Sequence, residues 1–346
     1  MKEISYEAFG MKIRRKRRLR QKPSECVFEL TYRCNLHCMY CYTDCYNIPS
    51  NEAKELNTQQ VKSILDKVSE MGVAHLYLTG GDPLMRPDFL EIYSYAKAKG
   101  FIITLFTNAY SMTEKIADYL SRQPPLRVEI TLNAVTDMLY EKISQVRMSF
   151  GKVMAGIDLI LEAGLPLKIK THVIRNNIHE ISSIKKFIEK RGFEFHPYSC
   201  VTARLNNDTS PCDLRITPDD IVQVSRGKII ADSDESVMKR ISGLCYQEGS
   251  DCMHLDPYGN TFFCSAIRKP SFNILDVNIQ YARSRLLNTI RKMFLTSRLK
   301  CKSCALGEFC SFCPGVAYLE TGTIDTPVSY YCELAKIKKQ YQEKVV

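Results

Sequence analysis

The chain has 346 residues, 45% of them apolar, enough for one large α/β unit with a smaller module beside it and too many for a disordered chain. No run of eighteen apolar residues occurs, and the first thirty residues carry the basic stretch KIRRKRRLR where a secretory signal needs an apolar core, so a cytoplasmic protein is expected. The formal charge of +10 is concentrated at Lys12, Arg14, Arg15, Lys16, Arg17, Arg18 and Arg20, where no aromatic platform is interleaved, so a nucleic-acid surface is not expected.

In chain order, residues 1–25 read as a basic arm, either solvated or docking an acidic peptide or electron donor. From about Cys26 to Tyr198 strand-like runs alternate with helical periodicity. The segments CVFELT, HLYLT, FIITLFT, RVEITL, LKIKTHV and FEFHPY predict strands, and VKSILDKVSEM, DFLEIYSYAKAK, EKIADYL, VMAGIDLILEA and ISSIKKFIEKR predict the helices between them. Six such repeats over residues 26–215 predict an α/β fold, a parallel sheet curled into a partial (β/α)6 TIM-type barrel, with functional residues just beyond the strand ends. Residues 199–216 read as a polar linker, 216–244 as a helical bridge, and 245–346 as a cysteine-rich module that leans on metal for its fold.

Fifteen cysteines clustered in C-x2-C and C-x3-C pairs point to metal rather than disulfides in a reducing compartment. Behind the first strand, TYRCNLHCMYC sets Cys34, Cys38 and Cys41 at C-x3-C-x2-C. Tetrahedral zinc wants four ligands and a disulfide two, so three thiolates suit three irons of a 4Fe-4S cluster. Its fourth iron is then open to an amine and a carboxylate, which S-adenosylmethionine (SAM) offers, and one electron passed to the sulfonium would release a 5′-deoxyadenosyl radical. After the second strand, Thr79, Gly80, Gly81 and Asp82 form a turn whose glycines let backbone come close to a ligand. Later strand ends add Thr107 and Asn108, then Thr131 and Asn133, then IRNNIHE.

The three-cysteine motif, with aromatic Tyr40 before its last cysteine, resembles that of the radical SAM superfamily, and TGGDP is similar to that family's Gly-Gly-Glu-Pro with Asp82 replacing Glu. The resemblance implies SAM contacts from Tyr40, Thr79, Gly80, Gly81, Asp82, Asn108, Thr131 and Asn133. Many relatives end strand four in Ser-Leu-Asp-Gly; here Thr131 keeps the hydroxyl while Asn133 and Ala134 depart from that pattern.

The C-terminal cysteines run Cys245-x6-Cys252, Gly259-x4-Cys264, Cys301-x2-Cys304-x5-Cys310-x2-Cys313 and Cys332. Eight thiolates make two sets of four, which two 4Fe-4S clusters or two zinc ribbons would equally use. The order resembles the SPASM auxiliary-cluster domain. That resemblance implies Cys245, Cys252, Cys264 and Cys313 on a nearer auxiliary cluster and Cys301, Cys304, Cys310 and Cys332 on a farther one, three clusters in all. Cys26, Cys45, Cys200 and Cys212 are left as ordinary small residues.

Such enzymes mostly modify peptides, and the lead-in FELTYRCNLHCMYCY is similar to maturases of ribosomally made peptides. A peptide or protein substrate is implied, closed by a thioether or carbon-carbon cross-link, with a reducing partner such as flavodoxin or ferredoxin. The residues ahead of the barrel are too few for a leader-binding winged helix, so leader recognition would need a separate leader-binding protein or the basic arm, or would be absent; no membrane partner is expected. Three other readings stay open: tetrapyrrole side-chain modification; sulfatase maturation, against which Ser265 stands where those relatives carry an aspartate; and a ferredoxin-like electron carrier or zinc-structured binding module, against which the open iron and the GGDP turn stand.

Overall fold

The protein is described from a computed structural model covering residues 22–226, 251–297 and 300–343. The basic arm up to residue 21, most of the helical bridge and Cys245 lie outside the described residues.

Six strands alternate with helices as the periodicity requires: β1 (Glu25–Thr31), α1 (Thr58–Glu70), β2 (His75–Gly80), α2 (Phe89–Ala98), β3 (Ile102–Phe106), α3 (Glu114–Arg122), β4 (Arg127–Thr131), α4 (Asp137–Ser144), α5 (Ser149–Glu162), β5 (Leu167–His172), α6 (Ile181–Lys190) and β6 (His196–Tyr198). In β1 the alternation turns Cys26, Phe28 and Leu30 into the core and leaves Glu25, Val27 and Glu29 on the opposite face. α1 starts at a capping box: the Asn57 side chain accepts from Gln60 N–H and the Gln60 side chain from Asn57 N–H, both at 2.9 Å. Its buried stripe, Val61, Ile64, Leu65 and Val68, has helical spacing and packs on the sheet.

Two connections differ from the expectation. β4 and β5 are joined by two helices, α4 and α5, with Gln145 and Met148 between them at φ of 58° and 56°. α4 buries only Leu139, Tyr140, Ile143 and Ser144, too short a stripe to stand out as a period in the sequence. Residues 199–216, expected as a linker, are packed: Val201, Ala203 and Arg215 are buried, Arg215 Nε donates to Val201 O at 2.9 Å, and its guanidinium pairs with Glu320. Two of its polar residues, Arg204 and Arg215, are drawn into the fold and bonded, while Asn206, Asn207, Asp208, Thr209, Ser210 and Asp213 stay exposed.

Beyond α7 (Pro218–Arg226), the cysteine-rich region supplies β7 (Cys252–Leu255), β8 (Asn260–Phe262), β9 (Phe272–Asn273), α8 (Ile279–Thr296), α9 (Pro314–Thr321) and α10 (Ser329–Glu343). One nine-stranded sheet runs through both regions in the order β6-β5-β4-β3-β2-β1-β7-β8-β9. β1 to β6 are parallel, and β7 joins the free side of β1 in parallel, Cys26 opposite Met253 and Phe28 opposite Leu255. β8 and β9 then turn antiparallel. The two regions are therefore one hydrogen-bonded sheet.

Candidate functional site

The loop after β1 is held from three sides. Asn47 accepts from Cys34 N–H at 3.0 Å and returns an N–H to Cys34 O at 3.1 Å. The C-terminal carbonyls of α4 accept from His37 N–H (Ser144 O, 2.9 Å) and Met39 N–H (Ile143 O, 3.0 Å). Arg204, from the segment expected as a linker, donates to Cys41 O at 3.1 Å. This frame puts Cys34, Cys38 and Cys41 on one cavity of about 210 Å³ at the C-terminal ends of the parallel strands.

Burial pushes the Cys38 thiol up to about 12, with the neighbouring Cys41 adding to the rise, and it raises Cys34 and Cys41 as well. Three crowded thiols that resist ionisation become thiolates only against a cation. Soft, odd-numbered and convergent, this donor set fits a 4Fe-4S cluster with one iron left open. Cys45, the next cysteine, donates to Tyr42 O at 3.8 Å.

The Gly-Gly-Asp turn packs against this loop. A Cβ on Gly80, whose φ is +136°, would lie 2.1 Å from Thr31 O, and one on Gly81 2.3 Å from Arg33 O. Gly81 N–H donates to Thr31 O at 2.7 Å and Asp82 N–H to Arg33 O at 2.8 Å. The close approach that demands glycine is thus to the strand-end backbone just before Cys34. Thr79 and Gly81 still line the cavity. Asp82 is fully buried; its carboxylate accepts from Thr107 Oγ1 (2.8 and 3.0 Å), Asn108 N–H (2.8 Å) and Leu84 N–H (2.9 Å). Burial raises its pKa while those donors hold it down. Asp82 so fixes Asn108, whose Nδ2 donates to Asn35 Oδ1 at 2.8 Å and reaches Cys34 Sγ at 3.5 Å.

Asn133 lies on the cavity wall, yet its Oδ1 accepts from His172 N–H at 2.8 Å, and Asn177 Nδ2 donates to Asn133 O at 2.9 Å, tying the ends of β4 and β5 together. Thr131 and Tyr40 also line the cavity, Tyr40 with its ring 4.8 Å from that of His172. The sequence reading missed Glu129 and Lys170, an ion pair on the same wall, with Arg127 Nε 2.6 Å from Glu129 and the Lys170 ammonium 4.2 Å from the Phe106 ring centre. Their signal was the charge alternation in RVEIT and LKIKTH: strands covered by helices on one face carry such residues only on the face that lines the barrel.

In the C-terminal region Cys264 and Cys313 converge. A Cβ on Gly315 would stand 3.7 and 3.6 Å from their sulfurs and 2.9 Å from Ala266 Cβ, so glycine leaves room for both. Burial pushes the Cys264 thiol up to about 11, Cys313 adding to it. Cys301, Cys304, Cys310 and Cys332 form a second group: burial pushes Cys301 up to about 11, with Cys310, Cys332 and Cys304 contributing in that order. Cys252 opens β7, its thiol beside Glu25, the Val27 amide and Cys26. Among the described residues no three His, Cys, Asp or Glu side chains converge on a single ion-sized point.

The sheet, its cysteine loop and the cavity at its strand ends define a radical SAM domain, and residues 28–188 match the model of the Radical SAM superfamily. The matched segment belongs to that superfamily. It is similar to the AdoMet-dependent heme synthase of Methanosarcina barkeri, 30% identical over 195 residues, 55% of each chain. It also resembles the PqqA peptide cyclase of Streptomyces rochei, 32% identical over 156 residues, 45% of this chain and 42% of that one. The chain spans about half the length of the curated relatives it matches. Among solved structures, Streptococcus suis SuiB bound to S-adenosylmethionine superposes with a TM-score of 0.67 over 96% of this chain and 84% of that one, at 16% identity. SuiB bound to precursor peptide SuiA gives 0.68 over 97% and 82%, at 14% identity. These likenesses extend the shared fold through the cysteine-rich region.

Proposed function

We propose that the protein is a radical SAM peptide maturase: it cleaves SAM reductively at the Cys34, Cys38 and Cys41 site and removes hydrogen from a ribosomally made peptide, closing a thioether or carbon-carbon cross-link. The observation that carries this reading is the convergence of three half-buried cysteines on one cavity at the strand ends, with no fourth cysteine on its wall among the described residues. The cluster held there would supply the single electron that splits SAM into methionine and a 5′-deoxyadenosyl radical.

This chain's own residues then have separate tasks. Asn47 and the end of α4 hold the cysteine loop, and Asp82 holds Asn108 against Cys34. Thr79, Thr131 and Tyr40 offer hydroxyls and a ring face to SAM, while Glu129 and Lys170 supply one charge of each sign on the same wall. Cys301, Cys304, Cys310 and Cys332 would hold one auxiliary cluster, and Cys264 and Cys313, with Cys245 and Cys252, another. Peptide as substrate is supported by the likeness to a peptide cyclase and to the fold of SuiB. A peptide maturase would work with a leader-binding protein and an external reductant.

The second reading, tetrapyrrole side-chain chemistry, is favoured by the heme synthase relatives. The cavity gives it less support: among the described residues its one lining cation, Lys170, is already paired with Glu129. Anaerobic incubation with SAM and dithionite tests the main reading: 5′-deoxyadenosine is expected from the wild type and none from a Cys34→Ala, Cys38→Ala, Cys41→Ala variant. No product from iron-replete wild type would sink it.

A further inference from the structure

We infer that the corner between α4 and α5 is the docking surface for an acidic one-electron carrier protein, and that it delivers the electron to the three-cysteine site through the end of α4. This rests on the radical reading above, because only reductive cleavage needs an outside electron at that site.

The corner is unusual in what it exposes. Met138 is 83% and Met148 78% exposed. Single exposed apolar residues are ordinary, but two methionines on one helix and its following turn make an adaptable contact surface. Met138, Lys142 and Gln145 follow one another at helical spacing and are all exposed, and Arg147 and Met148 continue the patch.

The charge on the corner is predominantly positive. From Lys142 to Lys152 there are three cations, Lys142, Arg147 and Lys152, all exposed, and no acidic residue. Lys152 lies 4.9 Å from the Tyr110 ring centre, and none of the three has a carboxylate partner among the described residues. Two acids adjoin them, Glu141, whose carboxylate accepts from Met148 N–H at 2.6 Å, and the exposed Asp137 at the N-terminal end of α4, so the three cations outnumber the acids and the corner is net positive. An acidic partner would be attracted and steered by such a patch.

The corner also touches the site. Ser144 O and Ile143 O, the last carbonyls of α4, accept from His37 N–H and Met39 N–H within the cysteine loop, and Ile143 and Ser144 line the cavity. Electron tunnelling falls steeply with distance and is carried best by bonds, so a donor seated here has one hydrogen bond between the helix it touches and the loop holding Cys38. In each transfer the donor is oxidised by one electron and the cluster site is reduced by one; no proton need move.

The test uses the reconstituted holoprotein without substrate and follows bleaching of the iron-sulfur absorbance in a stopped-flow cell, with reduced flavodoxin or with dithionite. In a Lys142→Glu, Arg147→Glu variant the bimolecular rate with flavodoxin should fall at least tenfold at low salt and lose its decline with ionic strength, while the dithionite rate and iron content stay at wild-type values. A matched reversal on another face, Lys186→Glu with Lys190→Glu, should leave both rates unchanged. Milder Lys142→Gln, Arg147→Gln changes should give an intermediate rate if the reversed variant holds iron poorly. A wild-type flavodoxin rate in the corner variants, or an equal fall in the α6 variant, would overturn the proposal. Wild-type protein that dithionite cannot reduce would instead overturn the radical reading beneath it.

Discussion

At Asp82 a carboxylate with no access to water is satisfied by one hydroxyl and two backbone N–H groups. Replacing it by alanine strands those donors, at a cost of about 1–3 kcal/mol, and frees Asn108 from Cys34. Lower denaturation midpoints together with lower iron retention are expected; a variant that lost stability but kept full iron would refute the positioning role. His172 gives a pH prediction. Burial, then Lys170, lowers its pKa to about 4 from an ordinary 6.5. The unfolded chain therefore takes up a proton near 6.5 that the folded chain refuses until about 4, so its contribution is complete above pH 6.5 and is lost as pH falls through that window. The loss is on the order of 1–3 kcal/mol, and urea midpoints against pH should flatten in His172→Phe. At this scale the sequence was legible where spacing encodes chemistry, as with Cys34, Cys38 and Cys41. It was silent on a second cause: Gly80 and Gly81 lie against the Thr31 and Arg33 carbonyls, and no pattern within TGGDP records what lies across the turn.

At the scale of elements, the six repeats were readable because each strand and helix carries its own period, while α4 was too short to carry one. The join between the two cysteine regions was not readable either, because it depends on pairs distant in sequence. Arg268, after the β8 strand, makes a two-pronged salt bridge with Glu29 of β1 at 2.8 and 2.7 Å, and its Nη1 also donates to Tyr32 OH at 2.6 Å. With side chains 15% and 4% exposed, this is a buried pair, whose halves are worth less than their separation costs. Arg268→Met should destabilise by about 3–5 kcal/mol by stranding Glu29, and adding Glu29→Gln should recover most of the loss. A denaturant double-mutant cycle measures this; additive losses would show that the two side chains do not act as a pair.

For the whole molecule, three cysteine groups with little apolar core around the last two predict dependence on metal. The farther group packs on a small cluster of Phe312, Val316, Ala317, Val328 and Tyr331, against a main core that spans the barrel. Anaerobic protein should carry about twelve irons, and a chelator should melt the C-terminal region at a lower denaturant concentration than the barrel. A single unaltered transition after complete iron removal would count against metal-supported folding. The continuous sheet has a further consequence. β7 covers a side of β1 that would otherwise show a row of unpaired N–H and C=O groups. A gene truncated before β7 would not yield a simpler enzyme; it would yield a barrel with an adhesive rim, at the strand that launches the cysteines, ready to recruit a second copy of itself.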